Sequence, residues 1–232
     1  MEVEKDLVTA ELEKLVTADR LGKIDKILEN RTASLTIVLD EITHFHNVSA
    51  VMRSAEAFGL LEIYVLGSRD KISNSEFSSG ISLGTEKWLN VNYYNSEVDL
   101  LKDLRKKNFK LVALLPPDKY ENVIPVSTLP FEEPLALMFG NEVSGLRTSL
   151  IDEADIKAFI PMKGFVESFN ISVACAITLY SSTIEKSNPA DRTIALDSET
   201  KATTRAKWIR NSIQNVELIE RNISKRLLEG NS

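Results

Sequence analysis

Cysteine is almost missing: Cys175 is the one cysteine among 232 residues, which excludes an internal disulfide and a cysteine-rich metal site. Histidine is nearly as scarce, with two, His44 and His46. With no third histidine and no cysteine nearby in sequence, the pair reads as solvated or structural, and no metal is expected. No apolar run is long enough to span a bilayer. The opening MEVEKDLVTAELEKL is charged and lacks the apolar core of a signal peptide, so the expectation is a soluble cytoplasmic protein. Positive charge is in deficit too. Lys and Arg number 28 against 34 Asp and Glu, a net charge of −6. That total argues mildly against a nucleic-acid partner, because phosphate binding is driven by cations that release counterions. Glycine, finally, does not occur in DEITHFHNVS, so a dinucleotide fingerprint after the first strand is excluded.

What is present suffices for a folded domain with appendages: 232 residues, 43% of them hydrophobic, can bury a substantial core. Residues 7–30 carry leucine and isoleucine at helical spacing, with an interruption near Thr17–Gly22. LTIVL (Leu35–Leu39) is a buried strand. The following helix is expected to be capped by Asn47 and closed by Gly59, with Val51, Ala55 and Phe58 as its core stripe and Arg53 off that stripe. Further strands are expected at Glu62–Leu66, Trp88–Tyr94, Lys110–Leu115, Leu135–Phe139 and Ile156–Ile160, with a helix at Ser96–Lys107 and another from Asn170. Strands alternating with helices predict an α/β domain with a mostly parallel sheet and helices on both faces. The expected division is an N-terminal helical extension (1–33), the α/β domain (34–185), and a linker with a helical tail (186–232), the stretch after Arg205 forming one terminal helix.

The stretch from Leu135 to Tyr180 organises the rest. It holds two strands, each ending in a polar glycine-containing loop that feeds a helix, and ligands of open parallel sheets lie outside such carboxyl ends. Gly140-NEVS-Gly145 has the glycine spacing of a phosphate loop, but Leu146-Arg147 stands where Lys-Ser/Thr is required, so a nucleoside-triphosphate site is not expected. Cys175 falls in an apolar helix and reads as a small buried hydrophobe. Asn47, Arg53, Glu142, Ser168 and Asn170 are each ordinary alone, as caps, a surface cation and a loop acid. They gather at the carboxyl ends of three expected strands. Lys201, Arg205, Lys207 and Arg210 follow one another with no acid between them, beside Trp208 on a helix, which charge pattern alone reads as a solvated face.

HNVSAVMRSAEAFGL, LALMFGNEVSGL and IPMKGFVESFNISVACAITLY resemble, in order, the three motifs of the SpoU-type branch of the SPOUT RNA methyltransferases. The resemblance runs from about Thr36 to Ser182. It implies a C-terminal trefoil knot, a homodimer, and 2′-O-ribose methylation of RNA with S-adenosyl-L-methionine. By position it carries over Arg53 and Asn47 from the first motif, Glu142 from the second, and Ser168 and Asn170 from the third as catalytic candidates. It places the cofactor against Leu114, Gly140, Ile160, Met162 and Phe169. An arginine is always protonated in proteins, so Arg53 is expected to grip a phosphate and stabilise a developing alkoxide. Whether it also takes the proton stays open. Three departures from the motifs stand beside the site: Glu167 for a glutamine, Phe169 for a leucine, and Thr43-His44-Phe45 where Lys-Pro is common.

A short N-terminal helix and a helical tail most resemble the enzymes that methylate guanosine 18 of the tRNA D-loop, with Lys201, Arg205, Lys207 and Arg210 offered to RNA phosphates. Another tRNA position, rRNA, or a non-catalytic RNA-binding protein of the same fold are the alternatives.

Overall fold

A computed structural model describes residues 2–42, 44–67, 84–184 and 196–229. In chain order the elements begin with α1 (Glu2–Glu13), α2 (Ala18–Leu28), β1 (Leu35–Asp40), α3 (Phe45–Ala57) and β2 (Glu62–Leu66). They continue with β3 (Asn90–Tyr94), α4 (Glu97–Lys106), β4 (Lys110–Leu114), β5 (Val123–Pro125) and β6 (Leu135–Phe139). The last are α5 (Thr148–Asp152), β7 (Ile156–Phe159), α6 (Ile171–Ile184), α7 (Ser198–Asn211) and α8 (Val216–Glu229). They form two compact units, Thr32–Ile194 and a second made of Met1–Arg31 with Ala195–Ser232. The terminal segments, read from sequence as separate appendages, thus share one unit. Among the described residues no helix is long and apolar enough to cross a membrane.

The larger unit is a seven-stranded sheet in the order β3-β2-β1-β6-β4-β7-β5, and every pairing is parallel. Every residue of β1 and β6 is buried, which is why both read as unbroken apolar runs rather than alternating ones. Successive side chains still point to opposite faces. Ile37 and Leu39 join the core under α3 and α6, with Val51, Met52 and Cys175. Val38 and Met138 join the opposite core, with Leu100 and Leu104 of α4 and Leu150 of α5. Helices therefore cover both faces, as expected.

From β1 the chain moves outward to β2 and β3, then returns to the far side of β6 to lay down β4. The loops leaving β1, β6, β4 and β7 consequently lie side by side at one end of the sheet, where an open parallel sheet has its crevice. β5 escaped the sequence reading. It is three residues long and occupies the edge beside β7, a place that tolerates Pro125.

Two local expectations need correction. α3 begins at Phe45 with His44 in the cap position, so Asn47 lies inside the first turn and its side chain is released for other partners. The core stripe of α3 is Val48, Val51, Met52 and Ala55, and Phe58 is only partly buried. Gly59 does close the helix, in the left-handed conformation (φ 80°) that favours glycine.

In the helical unit, α1 and α2 part after Glu13, and the Thr17 hydroxyl accepts the amide of Arg20 to start α2. The expected single terminal helix is two: it breaks between Asn211 and Val216, where Asn215 takes a positive φ of 52°. Leu12, Ile24, Leu28, Trp208, Ile209 and Ile223 are buried, and the Arg31 guanidinium lies 5.1 Å from the centre of the Trp208 ring. The cations of α7 are not a bare solvated face. Lys201 pairs with Glu29 at 2.7 Å, Arg205 with Glu13 and Asp25 at 2.7 Å each, and Arg210 with Glu220 at 2.7 Å. The acids come from α1, from α2 and its C-cap, and from α8, which sequence proximity along α7 could not reveal.

Candidate active site

The loop after β6 is a closed turn. Asn141 and Gly145 exchange backbone hydrogen bonds of 3.1 and 2.8 Å, and the Asn141 side chain accepts the amide of Val143 at 2.7 Å. Gly145 has φ 71°. Gly140 is demanded by space: a Cβ there would run into the backbone of Gly145 and Leu146, closer than real Cβ atoms approach anything. The two glycines that mimic a phosphate loop are thus the closing points of a tight turn. The turn is fastened to the end of β1. The Asn141 amide donates to the carbonyl of Glu41 at 2.8 Å. The Arg147 backbone N–H and Nε donate to the buried Asp40 carboxylate at 3.1 and 2.8 Å, and Arg147 also reaches Glu97 at 3.4 Å. In the sequence, Arg147 counted only as a mismatch to the serine or threonine of a phosphate loop. The signal passed over was Asp40, an acid ending an otherwise apolar strand.

Between this turn and the loops after β4 and β7 opens a cleft of about 350 Å³, within the size range of small-molecule sites. Leu114, Gly140, Ile160, Met162 and Phe169, the five positions expected to hold a cofactor, all line it, together with Glu142 and Ser168. The apolar members suit a flat base. Glu142 and Glu167 are the acids of the lining, and Lys119 is its cation. Lys119 and Glu167 pair with each other at 3.1 Å, joining the loops after β4 and β7, so Glu167 does not add uncompensated negative charge. Glu142 is left as the acid without a cation, a setting that favours a positively charged ligand.

At the rim, side chains from the first turn of α3, the loop after β6 and the start of α6 are linked. Asn47 Nδ2 donates to Glu142, and Asn170 Nδ2 donates to Asn47 Oδ1 at 3.1 Å. Asn170 Oδ1 in turn accepts the backbone N–H of Ser172 at 2.9 Å, fixing the start of α6. Residues 95 and 123 positions apart from Asn47 are therefore tied into one polar chain. Arg53 is exposed on α3, outside both the cleft lining and this chain, with no hydrogen-bond or ion-pair partner among the described residues. Ser168 is exposed on the lining. Lys201, Arg205, Lys207 and Arg210 belong to the helical unit.

Residues 34–180 match the SpoU rRNA Methylase family. The chain is 31% identical over 209 residues, 90% of its length and 93% of the relative's, to a tRNA (guanosine(18)-2′-O)-methyltransferase of Borreliella burgdorferi. Its structure resembles that of a TrmH/SpoU tRNA modifying enzyme of A. aeolicus, with a TM-score of 0.73 and 27% identity, covering 87% of this chain and 98% of that one. It shares its fold with the SpoU methyltransferase AviRb of Streptomyces viridochromogenes in complex with the cofactor AdoMet, at a TM-score of 0.58 and 24% identity over 67% of this chain and 59% of that one.

Proposed function

The chain belongs to the SpoU rRNA methylase family, and from that premise we propose that it methylates the ribose 2′-hydroxyl of guanosine 18 in tRNA, using S-adenosyl-L-methionine. The observation that carries this reading is the hydrogen-bonded set Glu142, Asn47 and Asn170 at the rim of a cleft lined by the five expected cofactor positions. The choice of tRNA rests on the relative matched over 209 residues, 90% of the chain.

The cleft fits the cofactor by its own chemistry. Leu114, Ile160, Met162 and Phe169 would wall the adenine, and the turn from Gly140 would meet the methionine portion with backbone groups. When bound, the cofactor supplies a methyl group already activated by its sulfonium. The residues of the chain must then position a ribose and handle a proton. Glu142, oriented by Asn47, offers its remaining carboxylate oxygen to the incoming nucleotide. Arg53, permanently charged and uncommitted, holds the target phosphate and stabilises charge that develops on the attacking oxygen. Ser168 and Asn170 shape the rim beside them.

A homodimer is part of the proposal. Val173 and Tyr180 lie seven residues apart on α6, 44% and 58% exposed, and form with Phe169 an apolar stripe suited to a second copy. The trefoil knot implied by the family is extended to this chain, and a cytoplasmic location is inferred from the tRNA substrate. Lys201, Arg205, Lys207 and Arg210 are candidate phosphate contacts, which three of them can make only by exchanging their ion pairs for RNA.

Transfer of labelled methyl from S-adenosylmethionine to unmodified tRNA transcripts, followed by nuclease mapping, tests the reading. A product at guanosine 18 supports it. Transfer to rRNA alone would move the substrate, and RNA binding without transfer to either would favour a non-catalytic protein.

A further inference from the structure

The loop between β7 and α6 does two things at once. Met162 and Glu167–Phe169 turn into the cleft, while Lys163, Gly164, Phe165 and Val166 between them face solvent. Phe165 is 107% exposed, more open than a residue in an extended chain, and Val166 is 65% exposed. A Cβ built on Gly164 would meet nothing within 4 Å, so the tip stands clear of the rest of the protein. An aromatic held wholly in water is costly unless something covers it. Lys163 is exposed and has no ion-pair or hydrogen-bond partner among the described residues, unlike Lys119, which Glu167 neutralises.

We propose that Phe165 and Lys163 form a nucleotide-reading subsite on the cleft rim, Phe165 stacking on the base of the target nucleotide and Lys163 pairing with an adjoining phosphate. This rests on the RNA methyltransferase reading. A ribose brought to Glu142 and Asn47 must leave its stack in the RNA, and its base then lacks a neighbour. Phe165 lies three residues before Ser168 of the cleft lining, so their Cα atoms are at most about 11 Å apart, a span on the scale of one nucleotide. An aromatic face beside an uncommitted cation is the combination that single-stranded nucleic-acid sites use, and stacking of this kind contributes roughly 1–3 kcal/mol per base. It also accounts for an acidic chain acting on RNA. The cations of α7 are largely committed to internal acids, whereas this rim offers free charge and a stacking surface where the chemistry occurs.

The test uses the full-length protein and a tRNA transcript carrying a fluorescent guanine analogue at the target position. In the wild type, binding should quench the analogue. Phe165→Ala and Phe165→Leu should abolish the quenching and lower kcat/KM for tRNA about 5- to 150-fold, whereas Phe165→Tyr and Phe165→Trp should restore both. Lys163→Gln should weaken binding and reduce the salt slope by about one ion without changing the quench at saturation. S-adenosylhomocysteine affinity and the oligomeric state should not move in any variant. Full activity and quenching in Phe165→Leu would overturn the proposal. Conversion of Phe165→Ala to a monomer would assign the residue to a contact between copies, and loss of cofactor affinity would assign it to the cleft. If the wild type binds tRNA but transfers no methyl, the quench still reports on stacking while the catalytic reading fails separately.

Discussion

Replacing Gly140 with alanine isolates the part of the site that depends on backbone alone. The added Cβ would collide with backbone atoms of Gly145 and Leu146, which cannot turn aside as a flexible side chain could. The turn must open, losing the two hydrogen bonds between Asn141 and Gly145. Each contributes about 1 kcal/mol, and forcing a methyl into a filled space costs roughly another 1–3 kcal/mol. Whatever part of this about 3–5 kcal/mol falls on the turn weakens ligand binding tenfold per 1.4 kcal/mol. The expected result is S-adenosylhomocysteine affinity lowered at least about tenfold, measured by titration calorimetry alongside thermal unfolding. Gly145→Ala is the control. Its φ of 71° disfavours alanine by about 1–2 kcal/mol, yet no atom lies within 4 Å of the new methyl. Gly140→Ala must therefore be the worse of the two, and wild-type affinity in Gly140→Ala would refute the reasoning.

Arg147→Met should lower unfolding stability in urea by roughly 2–4 kcal/mol, because Asp40 would stay buried without its cation; an unchanged midpoint would show that Asp40 finds other partners. Asn47→Asp should place a second carboxylate against Glu142. The repulsion raises the pKa of one of them, so methyl transfer should be lost at alkaline pH and partly recover on acidification, whereas Asn47→Ala should show no such recovery. In the helical unit, the carboxyl of Glu13 is held below its usual value of 4.5, chiefly by its hydrogen bonds with Arg205. A lowered folded pKa gives stability that is complete above the ordinary carboxylate range and lost as pH falls through the depressed value. Acid titration followed by Trp208 fluorescence should therefore show a steeper loss below about pH 4.5 in the wild type than in Arg205→Ala, and parallel curves would remove the role of this pair.

The sheet was legible because β1 and β6 are buried on both faces, so LTIVL and LALMF announce themselves without any knowledge of their neighbours. The lining of the cleft was legible through the motifs, which fix Gly140, Ile160 and Phe169 by position. Contacts between distant segments were not. Asn47 has the chemistry of a cap, yet the cap falls three residues earlier at His44, and the Asn47 side chain pairs instead with Glu142 and Asn170. Arg147 and Asp40 lie 107 positions apart, and neither carries a local pattern. The row from Lys201 to Arg210 looked free because its acids sit on α1, on α2 and its C-cap, and on α8. β5, three residues long, is too short for any periodicity to show.

The central claim is methyl transfer to one ribose oxygen, and single-turnover transfer to two tRNA transcripts tests it most directly. One carries guanosine at position 18 and the other 2′-deoxyguanosine, with all other nucleotides identical. The account predicts label on the first, none on the second, and none on either with Arg53→Ala despite retained cofactor binding. Equal labelling of both transcripts would contradict it.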